Sequence, residues 1–149
     1  MHVAGPVLFL TLLAACATVG APRPKDKAER TPVDPPTGEW WVEKYEDDGG
    51  VIHERRPTEA PWAMKFTSDK MVLFSRGVTI SERPVEYFQN GTVFEIDLSP
   101  GDPKTMRKGI WKIDGDLLLI CCGAPGADRP VDFTAREGSG RRLWTLKRK

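Results

Sequence analysis

The sequence predicts an all-β domain, a barrel or sandwich of about eight short strands, and three observations carry that reading. Asn90-Gly91 separates Val85–Phe88 from Thr92–Ile96, and Asp114-Gly115 separates Ile110–Ile113 from Leu117–Ile120. Such dipeptides between alternating runs signal tight hairpins. From Gly38 onward, Trp, Phe, Val, Ile and Leu come in short bursts between turn signals. No stretch keeps the apolar period of a helix over the length that a stable helix needs.

The elements follow in order. The first strand falls near 39–47 and is closed by Gly49-Gly50. Residues 51–61 are ambiguous and read as a loop with room for a helical turn. Apolar bursts place strands near 62–67, 70–75 and 78–88, and the Asn90-Gly91 turn leads into 92–98. The Asp114-Gly115 pair divides 109–114 from 116–122, a short strand is allowed at 131–134, and the last strand spans 141–148. Along 117–122, period-two alternation turns Leu118, Ile120 and Cys122 inward and Leu117, Leu119 and Cys121 outward.

Composition divides the chain into three parts. Residues 38–149, 112 in all, form one domain, large enough to bury roughly two-thirds of its unfolded surface. That span carries 18 Lys plus Arg and 18 Asp plus Glu. A neutral domain gives no electrostatic case for nucleic acid. Its acids gather near the start (Glu39, Glu43, Glu46, Asp47, Asp48) and its bases near the end (Arg136, Arg141, Arg142, Lys147, Arg148, Lys149). If the first and last strands are neighbours, these are cross-strand partners rather than a ligand patch. Residues 17–37 are charged, rich in proline and free of aromatics, so they read as a disordered, extended tether.

Residues 1–16 carry a targeting signal. The apolar run Val7–Leu13 is too short for a bilayer-spanning helix and suits a signal-peptide core. It ends in Leu13-Ala14-Ala15-Cys16, the lipobox pattern of bacterial lipoproteins, with Cys16 as the lipidated residue. Met1–Pro6 holds His2 but no Lys or Arg, and Ala15-Cys16-Ala17 is also an Ala-x-Ala cleavage site for plain secretion. On the lipobox reading the domain sits on a membrane of the bacterial envelope; on the second it is secreted or periplasmic. Stable attachment takes at least two acyl chains, as a diacylglyceryl group supplies.

The domain also carries an ordered series of motifs. Gly38-Glu39-Trp40 opens it. Phe94–Leu98, Gly109–Asp116, Leu118–Cys121, Asp128–Phe133 and Gly138-Ser139-Gly140 follow, and Leu146-Lys147-Arg148 closes it. The series resembles a family of small uncharacterised domains abundant in planctomycete-type bacteria, with a G-x-W, I-D-L, G-I-Y-x-L-x-G-D-x-L-x-x-C, E-R-P-x-x-F, G-S-G and L-K-R pattern. The resemblance implies an antiparallel lipocalin-like barrel or half-barrel of about eight strands, and no activity. It also implies a barrel end closed by Trp40 beneath Arg148. Alternation agrees, since Trp144, Leu146 and Arg148 share one face, and such a contact is worth about 1–2 kcal/mol when partly desolvated. There are three departures from the pattern: Leu117 and Leu119 replace polar residues, Trp41 takes an outward polar position, and Cys122 follows Cys121.

Catalytic and metal chemistry find little footing. His53 is the only histidine of the domain, and adjacent strand cysteines point to opposite faces, so no metal set is implied. No cofactor motif is present. A Cys121–Cys122 disulfide would close a strained eight-membered ring. The plainer reading is one buried thiol and one surface thiol, Cys121, open to linkage with another protein. There is no nucleophile elbow, and Asp114 and Asp116 flank a turn glycine. Arg129 reads either as a buried ion pair with Asp97 or as an anion hook at the barrel mouth.

Two functional readings therefore stand, neither of them enzymatic. In the first, the barrel encloses a small apolar ligand in a cavity lined by Trp40, Phe66, Phe88, Phe94, Trp111 and Trp144. In the second, an outward patch of Trp41, Leu117 and Leu119 contacts another envelope protein.

Overall fold

The computed structural model describes residues 30–149; Cys16, the signal segment and residues 17–29 of the expected tether lie outside them. Ten strands pair into one antiparallel sheet. They are β1 (Thr31–Pro32), β2 (Glu39–Asp47), β3 (Gly50–Glu54), β4 (Trp62–Phe66), β5 (Lys70–Ser75), β6 (Val78–Asn90), β7 (Val93–Leu98), β8 (Arg107–Asp114), β9 (Leu117–Cys122) and β10 (Arg142–Arg148). Eight of them run in the order β6-β5-β4-β2-β10-β9-β8-β7, and β7 pairs back to β6. The domain is thus a closed eight-stranded antiparallel barrel of lipocalin-like architecture with two extra strands, and the β6–β7 ladder rules out a half-barrel. Among the described residues no helix forms.

Two long strands each serve two neighbours on one edge. β6 pairs with β5 along 78–84 and with β1 at 88–89. β2 pairs with β4 along 39–41 and with β3 along 44–47. The short β4–β5 hairpin leaves both edges partly open, and β1 and β3 cover part of what remains. At the two signalled hairpins the ladders close on Asn90↔Val93 and Asp114↔Leu117. Gly91 and Gly115, with φ of 61° and 62°, therefore stand first in their two-residue loops, where a type II′ turn requires glycine. Asn90 ends the strand instead of sitting in the turn.

Side chains fill the barrel. Trp40, Val42, Met64, Ile96, Leu118, Ile120 and Leu146 are fully buried in one cluster, with Phe66, Tyr87, Trp111, Cys122 and Trp144 packed among them. An eight-stranded barrel is just wide enough for its side chains to occupy its interior. The inward set on β9 is the expected Leu118, Ile120 and Cys122. β2 and β10 are neighbours, and their charges pair across the ladder: Lys149–Glu39 at 2.8 Å and Arg142–Asp47 at 2.9 Å. The Arg148 guanidinium lies 4.5 Å from the centre of the Trp40 ring, as the closing pair requires. Arg148 is exposed, so the contact is worth the lower figure for such pairs, about 0.5–1 kcal/mol.

Three local expectations need correction. The span 51–61 holds strand β3, then a turn in which Glu59 N–H donates to Arg56 C=O (3.2 Å). Residues 131–134 form bends and no strand, because that segment lies over the barrel wall without a ladder partner. The last residues of the expected spacer are docked. β1 joins the sheet, Val33 N–H donates to Tyr87 C=O (3.2 Å), and the Val33 side chain packs on the core.

Gly109 shows how tightly the wall is packed. A Cβ there would lie 2.6 Å from Cys122 Sγ, 2.8 Å from Cys121 O and 2.9 Å from Ile96 Cγ2. Gly109→Ala should lower the unfolding free energy in urea by about 1–3 kcal/mol, with the slope unchanged. A stability within about 0.3 kcal/mol of the unmodified protein would contradict this packing.

Candidate functional site

The polar centre of the domain is on its outer wall. Alternation along β7 turns Phe94, Ile96 and Leu98 inward and Glu95 and Asp97 outward. Both carboxylates are nevertheless buried, at 6% and 3% exposure. Two arginines from outside the closed barrel cover them. Arg129, in the long connection between β9 and β10, meets Asp97 at 2.7 Å and Glu95 at 3.3 Å. Its Nη1 also donates to the carbonyls of Ile96 (3.1 Å) and Gly109 (2.6 Å). Arg30, just before β1, meets Glu95 at 2.6 Å and Asp97 at 2.9 Å, with its guanidinium 3.8 Å from the centre of the Phe88 ring. Asn90 Nδ2 donates to Glu95 Oε1 (3.2 Å).

The ion pair Arg129–Asp97 is therefore present, and the anion-hook reading of Arg129 is corrected. Its donors are spent on two carboxylates and two carbonyls, and it lies on the wall rather than at the mouth. Glu95 and Arg30 complete the cluster and were missed. The signal for Glu95 was a charge at an outward position of a strand flanked by apolar residues. Arg30 carried no signal, because it stands in a charged, proline-rich stretch.

A groove of about 630 Å³ opens beside this cluster, where β7 begins and β8 ends. Val93, Ile113, Val131 and Phe133 give it apolar walls, and Glu95 and Arg129 give it a polar edge. Val131 is 90% exposed, Val93 45% and Ile113 46%. Lys112 Nζ lies 4.9 Å from the centre of the Phe133 ring. Of the six aromatics expected to line an internal cavity, Phe94 and Trp111 reach this groove. Trp40, Phe66 and Trp144 are packed into the core, Trp144 stacked on Tyr45 at 3.8 Å. Phe88 faces outward beneath Arg30. The six do not line a common space, because other side chains occupy the centre of the barrel.

The expected outward patch is also not continuous. Trp41 pairs with Lys147, which pairs with Leu117, and Thr145 stands beside Leu119. Lys147 thus separates the tryptophan from the leucines. Trp41, Leu117 and Leu119 are each half-buried, and Trp41 has Arg55 and Lys149 at 5.3 and 4.7 Å from its ring centre. His53 stacks on Trp62 with ring centres 4.3 Å apart. Among the described residues no group of three or more His, Cys, Asp and Glu could hold a metal ion.

Cys121 and Cys122 are both free and both buried, which corrects the expectation of one surface thiol. Cys122 points into the core. Cys121 points outward, but the 123–141 connection covers it, and its sulfur lies 3.6 Å from Thr134 O. Burial raises both thiol pKa values, that of Cys122 to about 12.

No protein-family model, curated protein or solved structure matches the chain.

The buried thiols give a signed pH dependence. A raised pKa means that the folded state disfavours the thiolate. The stabilisation is complete below the unfolded value near 9 and is lost as pH rises toward 12. Alkylation by iodoacetamide at pH 8 should modify neither cysteine in the native domain and both in urea. Fast native labelling of Cys121 would show that the 123–141 connection does not cover it.

Proposed function

We propose that this protein is a non-catalytic domain tethered to the bacterial envelope by a lipid on Cys16, and that it binds a small, mainly apolar ligand in its outer groove. One observation carries the binding reading: the lumen is filled, while the groove of about 630 Å³ keeps Val93, Ile113 and Val131 open to solvent. That volume lies within the roughly 300–1,000 Å³ of small-molecule sites, which combine apolar walls with a few placed polar groups. Glu95 and Arg129, already paired with each other, form the polar edge here, and Lys112 carries the one charge of the lining that is in no ion pair among the described residues.

The tether reading rests on Leu13-Ala14-Ala15-Cys16, and the position of Arg30 is consistent with it. β1 runs antiparallel to the end of β6, so the chain before Thr31 leads toward Asn90 at the rim of the groove. A spacer leaving from there would hold the groove close to the membrane that carries the anchor. The resemblance to the planctomycete-type family implies the barrel alone and adds neither chemistry nor a location. The reading through Trp41, Leu117 and Leu119 is weaker, since lysine and threonine interrupt that face.

A neutral dye, Nile red, tests the groove. It should bind once per domain, and the double change V93D/I113D should weaken it at least about tenfold, or 1.4 kcal/mol. Equal binding by that variant would refute the groove. Capture of another envelope protein through the same two residues, without dye binding, would favour an interaction module instead.

A further inference from the structure

The other mouth of the barrel, where β7 ends and β8 begins, holds three arginines. Arg83 stands opposite the core residue Met71 in the β5–β6 ladder. Arg107 precedes the inward Trp111 by two alternations, and Arg142 precedes the inward Trp144 by one. All three line one small space together with Met71, Leu98, Thr105, Cys122 and Trp144. The space leaves about 30 Å³ for the centre of a water molecule. That suits one small ion and excludes an acyl chain.

The lining of this space carries three guanidinium groups and no carboxylate. Two carboxylates stand beside it and both are engaged: Asp47 by Arg142 Nε at 2.9 Å and the Tyr45 hydroxyl at 3.1 Å, and Asp102 by the Thr105 hydroxyl at 2.7 Å and the Lys104 N–H at 3.0 Å. Arg107 Nη1 donates to the carbonyls of Gly123 (2.9 Å) and Gly140 (3.3 Å), which bring no charge. Among the described residues Arg83 has no ion-pair partner. Burial, and next the neighbouring Arg142, lower the proton affinity of Arg107, a second sign that positive charge is crowded here. A guanidinium offers five donors in a fixed fork that suits the oxygens of phosphate and carboxylate. Three such forks around a space of this size, with no carboxylate in its lining and both neighbouring carboxylates engaged, are complementary to a small multiply charged anion.

We propose that this mouth binds a tetrahedral oxyanion, phosphate or sulfate, through Arg83, Arg107 and Arg142, either free or as the end group of a larger molecule. The proposal is independent of the lipid anchor and of the groove.

Titration calorimetry and thermal unfolding of the full chain test it, with inorganic phosphate added against sodium chloride at equal ionic strength. Saturable one-to-one heat and a raised midpoint are expected, with acetate giving neither. R83Q is the informative variant, because Arg83 supports no ion pair. It should unfold at the same temperature in chloride and bind phosphate at least about tenfold more weakly. K104Q, on the loop beside this mouth, controls for general charge and should bind as the unmodified chain does. Competition by glycerol 3-phosphate assigns an end group as the ligand, and its failure assigns the free ion. No saturable heat up to about 10 mM phosphate, equal binding of acetate, or undiminished binding by R83Q would overturn the proposal.

Discussion

The N-terminal arm and the 123–141 connection, both outside the closed barrel, depend on two buried carboxylates. Glu95 and Asp97 sit side by side on the outer face of β7, where like charges out of water are costly. Arg30 and Arg129 neutralise them, and neither arginine belongs to the barrel itself. Each must be delivered by a segment lying over the wall. The cluster therefore binds the N-terminal arm and the 123–141 connection to the barrel as one unit. Removing either arginine would leave a buried charge short of a partner, a change typically costing about 3–5 kcal/mol.

The groove follows from that arrangement. One wall is barrel, at Val93 and Ile113; the other is the 123–141 connection, at Pro130, Val131 and Phe133. Arg129 stands next to that second wall in sequence and fixes its distance from β7. Cys121 shows the same covering from beneath, as an outward residue buried under the connection. The lumen contributes packing and stability. The surfaces with chemistry left to offer are the groove at one end and the arginine-lined mouth at the other.

Much of this was legible in the sequence, for physical reasons. Period-two alternation, apolar bursts and turn signals located all eight barrel strands to within two residues at each end, and the inward set on β9 came out as Leu118, Ile120 and Cys122. The complementary charges of the first and last strands were legible as cross-strand partners on the condition that those strands are neighbours, which they are. What failed was whatever depended on segments without regular pairing. Phe88 reads as core until β6 is seen to turn Val85 and Tyr87 inward. Arg30 reads as linker because its partners lie 65 and 67 residues away. A connection that lies on a wall without entering the sheet has no periodicity to announce it, so the burial of Cys121 and the groove had no local signal. The arginines at the far mouth were invisible for a related reason: Arg83, Arg107 and Arg142 converge only once the barrel has closed.

Hydrogen exchange on the isosteric variant E95Q/D97N tests the central dependence most directly. Both carboxylates lose their charge while keeping their shape, and two arginines are left facing each other. Residues 30–37 and 123–141 should then exchange much faster, while β8, β9 and β10 keep their protection. Unchanged exchange in the arm and the connection, or equal loss across the whole barrel, would contradict the claim that this ion cluster holds the outer segments in place.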